Sequence, residues 1–158
     1  MSSKSTGSSK STGPAPRIVP LPWGDADEFW RATAGGVLRL PRCPDTGRFL
    51  FPPAPVSPWG THRPTEWVAV GGHGSIWSYI VVHPPLVGQF AEVAPYVTAV
   101  VELDDAPGAS VVGPVVARPG AAVGSVAGDQ VHIGARVTLD LTSDATTEAP
   151  VVPRWVLR

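Results

Sequence analysis

From residue 66 to residue 157 the chain is written in short apolar stretches, each closed by glycine, proline or a polar cluster. That rhythm leaves room for little but a small β architecture. Residues 66–70 form a short stretch, and 75–83 a longer one rich in β-branched and aromatic side chains. Residues 96–103 are nearly all apolar, which predicts a strand covered on both faces. Residues 109–117 are interrupted by Pro114, which places them at an edge or a bulge. Residues 136–142 alternate, with Val137, Leu139 and Leu141 facing one way, and 151–157 supply a last strand. One helical turn is expected over 131–135. Five or six antiparallel strands with short turns satisfy a small Greek-key barrel, and another small barrel or a sandwich satisfies the pattern equally.

The N-terminal part reads differently. Residues 2–7 and 8–13 repeat one hexapeptide, Ser-Ser-Lys-Ser-Thr-Gly, which has no apolar surface to bury and predicts a disordered tail or linker over 1–16. Its glycines and lysines lack the spacing of a phosphate-binding loop. Asp25 reads as a helix N-cap with Glu28 three residues on, Phe29, Trp30 and Ala34 follow, and Gly35-Gly36 stops the segment. A short amphipathic helix over 26–34 is therefore expected, then a strand over 37–42. Five prolines make 52–64 irregular.

Between these lies a pattern with most of its ligands missing. A zinc ribbon holds its metal with two Cys-x-x-Cys knuckles, because zinc takes four ligands in a tetrahedron. Cys43 opens a first knuckle, but Thr46 stands where its second cysteine belongs, and Ser57 and Gly60 occupy the second knuckle. The expectation is a metal-free ribbon remnant, packed through Phe49, Phe51 and Trp59, with no metal ligand set. Asp45 and His62 are the nearest substitute ligands, and neither sits at knuckle spacing.

Several pieces carry a resemblance. Glu-Phe-Trp-Arg-Ala at 28–32, Gly-Ser-Ile-Trp-Ser-Tyr at 74–79, Ala-Pro-Tyr-Val-Thr-Ala-Val-Val-Glu-Leu-Asp at 94–104 and Pro-Arg-Trp at 153–155 occur in the order found in DUF35 proteins. The resemblance covers about residues 24–158. It implies a mainly β fold: an OB-fold barrel over 65–158, preceded over 17–64 by a short helix and a rubredoxin-like ribbon. DUF35 proteins resemble obligate partners of thiolase-fold enzymes, including sterol-carrier-protein-x-like aldolases of steroid side-chain degradation, sometimes with a MaoC-like hydratase domain. The implied role is a non-catalytic accessory subunit with no cofactor of its own, sharing a coenzyme A thioester substrate with its partner. Implied partner-binding residues are Trp23, Phe29, Trp30, Phe51 and Trp59, and His83 and Phe90 are expected to border the acyl-CoA. The absent ligands stop any zinc-dependent role from being carried over.

The residues themselves offer no self-sufficient active site. His62, His73, His83 and His132 are scattered, and none pairs with an acid or a nucleophile at a diagnostic spacing. Glu102, Asp104 and Asp105 meet a turn, where solvation outweighs an acid–base role. Ser75 and Ser78 lack a nucleophile elbow. Six tryptophans are many for 158 residues, and Trp23, Trp30 and Trp59 lie outside the barrel strands. They either anchor a partner or pack the helix onto the ribbon segment. A net charge of −1 gives no basic groove for nucleic acid, although an OB barrel is a scaffold for it. A stand-alone acyl-CoA-binding protein is the other alternative. One cysteine, no membrane-length apolar run and no signal-peptide pattern lead to the expectation of a cytoplasmic protein.

Overall fold

The computed structural model describes residues 20–22, 24–60, 65–86, 90–142 and 150–158. The tail over 1–16 therefore lies outside the described residues. The first helix, α1 (Asp27–Ala34), falls where its apolar spacing placed it, but its start differs from the expected cap. A 3₁₀ turn over Gly24–Ala26 leads in, and Ala26 occupies the cap position without a side-chain hydrogen bond. The stop is as read: Gly35 caps the helix, and its N–H reaches the Arg31 carbonyl.

Strand β1 (Leu38–Arg42) pairs antiparallel with β2 (Glu66–Val70), Leu40 facing Val68. Of the six strands expected from residue 66 onward, this first one thus belongs to a separate two-stranded sheet. The other five are β3 (His73–Val82), β4 (Tyr96–Leu103), β5 (Ser110–Val116), β6 (Arg136–Asp140) and β7 (Arg154–Leu157). They close a barrel in the order β3-β4-β5-β7-β6. All pairs are antiparallel except β5 with β7, where Val115 and Val116 run parallel to Trp155 and Val156. The expectation of a wholly antiparallel barrel is corrected there. Pro114 does not mark an edge, since closure leaves none; it sits one residue before the β5–β7 ladder begins.

Alternation sets the core. Val97, Ala99, Val101 and Leu103 of β4 point inward and are buried, while Thr98 and Val100 are half-covered and Glu102 is exposed. The outer face of β4 is thus only partly covered, against the expectation from its composition. Trp155 fills the barrel from β7 at 0% exposure, and a buried side chain of that size contributes more than the roughly 1.5–3 kcal/mol of a buried Leu or Val. Two glycines make room for the closure. A Cβ at Gly113 would stand 2.1 Å from the Pro153 carbonyl oxygen, and one at Gly74 2.3 Å from that of Glu102. Phe29, Leu38 and Leu40 belong to the same buried cluster as the barrel residues, so helix, small sheet and barrel share one core. The helical turn expected over 131–135 lies at Gly128–Gln130 instead, where the Gln130 side chain accepts the Ala127 N–H. A second short helix, α2 (Phe90–Val93), had no sequence signal. No helix of the described residues is long and apolar enough to cross a membrane.

Candidate functional site

The segment after β1 folds back as a tight loop. The Cys43 N–H bonds the Arg48 carbonyl, the Leu50 N–H bonds that of Pro41, and Phe49 bridges to Arg42. Gly47 turns the loop at φ 71°, in the left-handed region that favours glycine. The loop brings together three of the positions singled out by spacing. The Cys43 thiol is hydrogen-bonded by the Ser57 and Thr46 side chains, and those bonds lower its pKa to about 7 against the opposing effect of burial. The fourth position, Gly60, is approached by another group: a Cβ there would lie 2.4 Å from an Asp45 carboxylate oxygen. The Arg48 guanidinium stacks on the Trp59 ring, 4.2 Å from its centroid. Among the described residues no three His, Cys, Asp or Glu side chains gather to hold a metal, and His62 lies outside them.

The aromatic residues expected at an interface divide by position. Phe29 is 2% exposed and packs inside the chain, its ring edge-on to Trp30 at 4.8 Å and tilted on Phe51 at 5.5 Å. Trp30 and Phe51 are half-buried against the core, whereas Trp59 is 40% exposed. Trp23 lies outside the described residues. The helix that carries Phe29 and Trp30 is tied down by an ion pair from Glu28 to Arg39, which also bonds the Trp67 carbonyl. His83, just after β3, and Phe90, opening α2, are both exposed and lie beyond the same barrel end, where Val82 pairs with Tyr96. The Phe90 ring stands 6.5 Å from that of Tyr96.

At the other end of β3, Asp104 and Asp105 are engaged in binding other protein groups. Arg136 grips Asp104 with both guanidinium nitrogens and also reaches the Ser75 hydroxyl. That grip holds the Asp104 carboxyl below its ordinary range, the opposite of what a general acid needs. Asp105 accepts the Gly71 N–H. Arg158 bonds Thr138 and approaches His73 Nδ1 at 3.3 Å. His132 is exposed in a loop.

Two features escaped the sequence reading. Asp140 is buried, paired with Arg154 at 3.0 Å. Its signal was the Asp-x-Thr spacing to Thr142, whose N–H bonds Asp140 as in an Asx turn. Trp77 is the other. A β-bulge between Ile76 and Ser78 throws it outward, 65% exposed.

Comparison with known proteins agrees with this architecture. Residues 67–142 match the family described as the ChsH2 C-terminal OB-fold domain. Over 81 residues, 51% of this chain, the sequence is 32% identical to the 3-oxo-4,17-pregnadiene-20-carboxyl-CoA hydratase alpha subunit of Mycobacterium tuberculosis. The match spans only 25% of that longer protein. A solved structure titled Ltp2-ChsH2(DUF35) aldolase contains a chain of similar fold. That chain has a TM-score of 0.70 and 29% identity, with 87% of this chain and 98% of that one covered. A DUF35 protein of unknown function from Sulfolobus solfataricus shares the fold at a TM-score of 0.54 and 11% identity, with 85% of each chain covered.

Proposed function

The chain is a DUF35 OB-fold protein, and we propose on that footing that it is the accessory subunit of a thiolase-fold acyl-CoA aldolase or thiolase. The carrying observation is the match to 98% of a chain in an aldolase named for two components, Ltp2 and ChsH2(DUF35). The name of the curated relative adds a pregnadiene-20-carboxyl-CoA substrate, which supports a steroid side-chain thioester here as well. A MaoC-like hydratase domain is a further partner of this reading. In this role the partner carries the chemistry and the coenzyme A thioester, and this chain works without a cofactor of its own in the cytoplasm. The 1–16 segment acts as a linker, 17–64 as the docking module and 65–158 as the barrel module.

The docking module is read as a ribbon that has exchanged its metal for hydrogen bonds. Structural zinc supplies on the order of 10 kcal/mol to small zinc domains, so the loops it once joined need another tie. The Cys43–Thr46–Ser57 cluster, the Asp45 approach to Gly60 and the Arg48–Trp59 stack are that tie. They leave Trp59 exposed under the Arg48 guanidinium, where it can serve as an interface anchor. Trp30 extends the surface, Phe29 and Phe51 brace it from below, Trp23 is assigned to the same partner, and His83 and Phe90 border the shared acyl-CoA. Calorimetry with a purified thiolase-fold aldolase subunit from the same organism tests the reading. Wild-type protein binds, and Trp59→Ala loses about 2 kcal/mol or more, roughly thirtyfold. A folded wild-type chain that no such subunit binds, or turnover of acyl-CoA by this chain alone, overturns it.

A further inference from the structure

The outer wall of the barrel carries an uncharged, partly exposed face. Side chains that point away from the core across β3, β4 and β5 fall into register rows. Ser78 stands beside Val100 and Val100 beside Val112; Ile80 stands beside Thr98 and Thr98 beside Pro114; Val82 stands beside Tyr96. No side chain in these rows is charged, and the first charge along β4 is Glu102. Ile80 is 62% exposed and Val112 49% exposed. At the Ser78 end the β-bulge aims Trp77 outward. That bulge is held in place, because Ile76 on its inner side bonds both Gly134 and Ala135 through its backbone. Bulges re-aim side chains where function needs them, and a tryptophan fixed outward on a strand is poorly explained by stability.

We infer that this face, centred on Trp77, Ile80 and Val112, docks the enzyme subunit of the proposed complex. The inference rests on that reading and deepens it. Three arguments select this occupant. The face has no cation to offer a phosphate backbone, which removes nucleic acid. Its apolar side chains adjoin one another in register and carry no charge, as at the desolvated centre of a protein interface. Its shape opposes self-association. A stable interface needs about 800 Å² from each partner, and the walls of two small closed barrels are both convex, so two copies touch along a strip. A larger partner with a flat or hollowed surface meets the requirement. The face also runs on to Tyr96, whose ring stands 6.5 Å from Phe90, so a partner seated here reaches the end of the barrel assigned to the acyl-CoA.

The test uses the full chain and a purified thiolase-fold aldolase subunit from the same organism, with binding read by calorimetry and association state by sedimentation. Trp77→Ala and Ile80→Lys change outward side chains and keep the wild-type melting temperature; Val112→Asp on β5 serves if either fails to fold. The expected result is a loss of about thirtyfold or more in affinity for these variants. If wild type binds and all three variants bind equally well, the face is not the interface, while the subunit reading stands. If wild type binds no such subunit, the subunit reading fails and takes this inference with it. If wild type instead forms a dimer that Trp77→Ala dissolves, the occupant is a second copy and the inference is overturned.

Discussion

Removing the Asp140 carboxylate should cost this protein more stability than any exposed charge it carries. Asp140 and Arg154 face each other across the β6–β7 ladder that completes the barrel. Their side chains are 1% and 11% exposed, with 3.0 Å between charged atoms. The carboxylate also accepts the Gly120 N–H at 3.0 Å and the Thr142 N–H at 2.8 Å. Asp140→Ala therefore strands a buried guanidinium and two backbone donors at once. Breaking one side of a buried pair costs about 3–5 kcal/mol, because the surviving charge stays out of water. Each kcal/mol lowers the melting temperature of a domain this size by about 2–4 °C, so a fall of roughly 6–20 °C is expected. Urea unfolding and thermal melts measure it directly. The double variant Asp140→Leu/Arg154→Met removes both charges and should recover most of the loss. Asp104→Ala breaks the exposed pair with Arg136 and should barely register. Acid provides an independent reading. Burial pushes the Asp140 carboxyl up, but the Thr142 and Gly120 bonds and the Arg154 charge outweigh it, so its pKa in the folded protein lies below the ordinary value. A lowered carboxylate contributes stability that is complete above the unfolded value of about 3.9 and drains away as pH falls through the folded one. Wild-type stability should thus drop below about pH 4, and Asp140→Asn should show a shallower drop. A cost under about 1 kcal/mol for Asp140→Ala, or one equal to that of the double variant, would refute the argument.

Gly113→Ala drives a methyl group into the Pro153 carbonyl at 2.1 Å, where β5 passes the entry to β7. A loss of about 1–3 kcal/mol in urea unfolding is expected, and a neutral result would mean that this corner yields easily. Ser57→Ala removes the bond that lowers the Cys43 thiol most, so thiolate absorbance on titration should shift above the value of about 7. An unchanged midpoint would show that Ser57 does not hold the thiol. Elemental analysis of chelator-free protein should find no stoichiometric zinc; about one zinc per chain, lost in Cys43→Ala, would contradict the reading of the cluster as a hydrogen-bonded substitute for metal.

What was legible in the sequence follows from which forces are local. Residues 66–70 and 96–103 became strands with the expected bounds, because runs of β-branched residues between turn formers fix the backbone without outside help. Helix α1 stands where Phe29, Trp30 and Gly35 placed it, since periodicity and a glycine stop act within a few residues. Pairing is another matter. Nothing local in Glu66–Val70 tells it to leave the barrel for β1, and nothing in Val115 tells it to run parallel to Trp155. Those choices are made by contacts tens of residues apart in the chain. The turn at Gly128–Gln130 slipped by three residues for a local reason, a glutamine side chain closing on the Ala127 N–H.

The candidate site was legible in proportion to how far its residues obey a spacing rule. Cys43, Thr46 and Ser57 meet at three of the positions where the spacing of a ribbon would put ligands. The exposed wall broke no spacing rule and so left no trace. From Ile76 to Val82 strand β3 carries large apolar side chains in both alternating sets, and only a one-residue bulge decides that Trp77 faces water while Ile76 faces the core. A period-2 pattern has no term for an extra residue, so the same letters spell a buried tryptophan without the bulge and an exposed anchor with it. For that reason, in a barrel whose strands are apolar on both faces, contact surfaces are to be sought where the register shifts. Here that rule adds Trp77 to the more conspicuous aromatics of the helix, of which Phe29 is sealed inside.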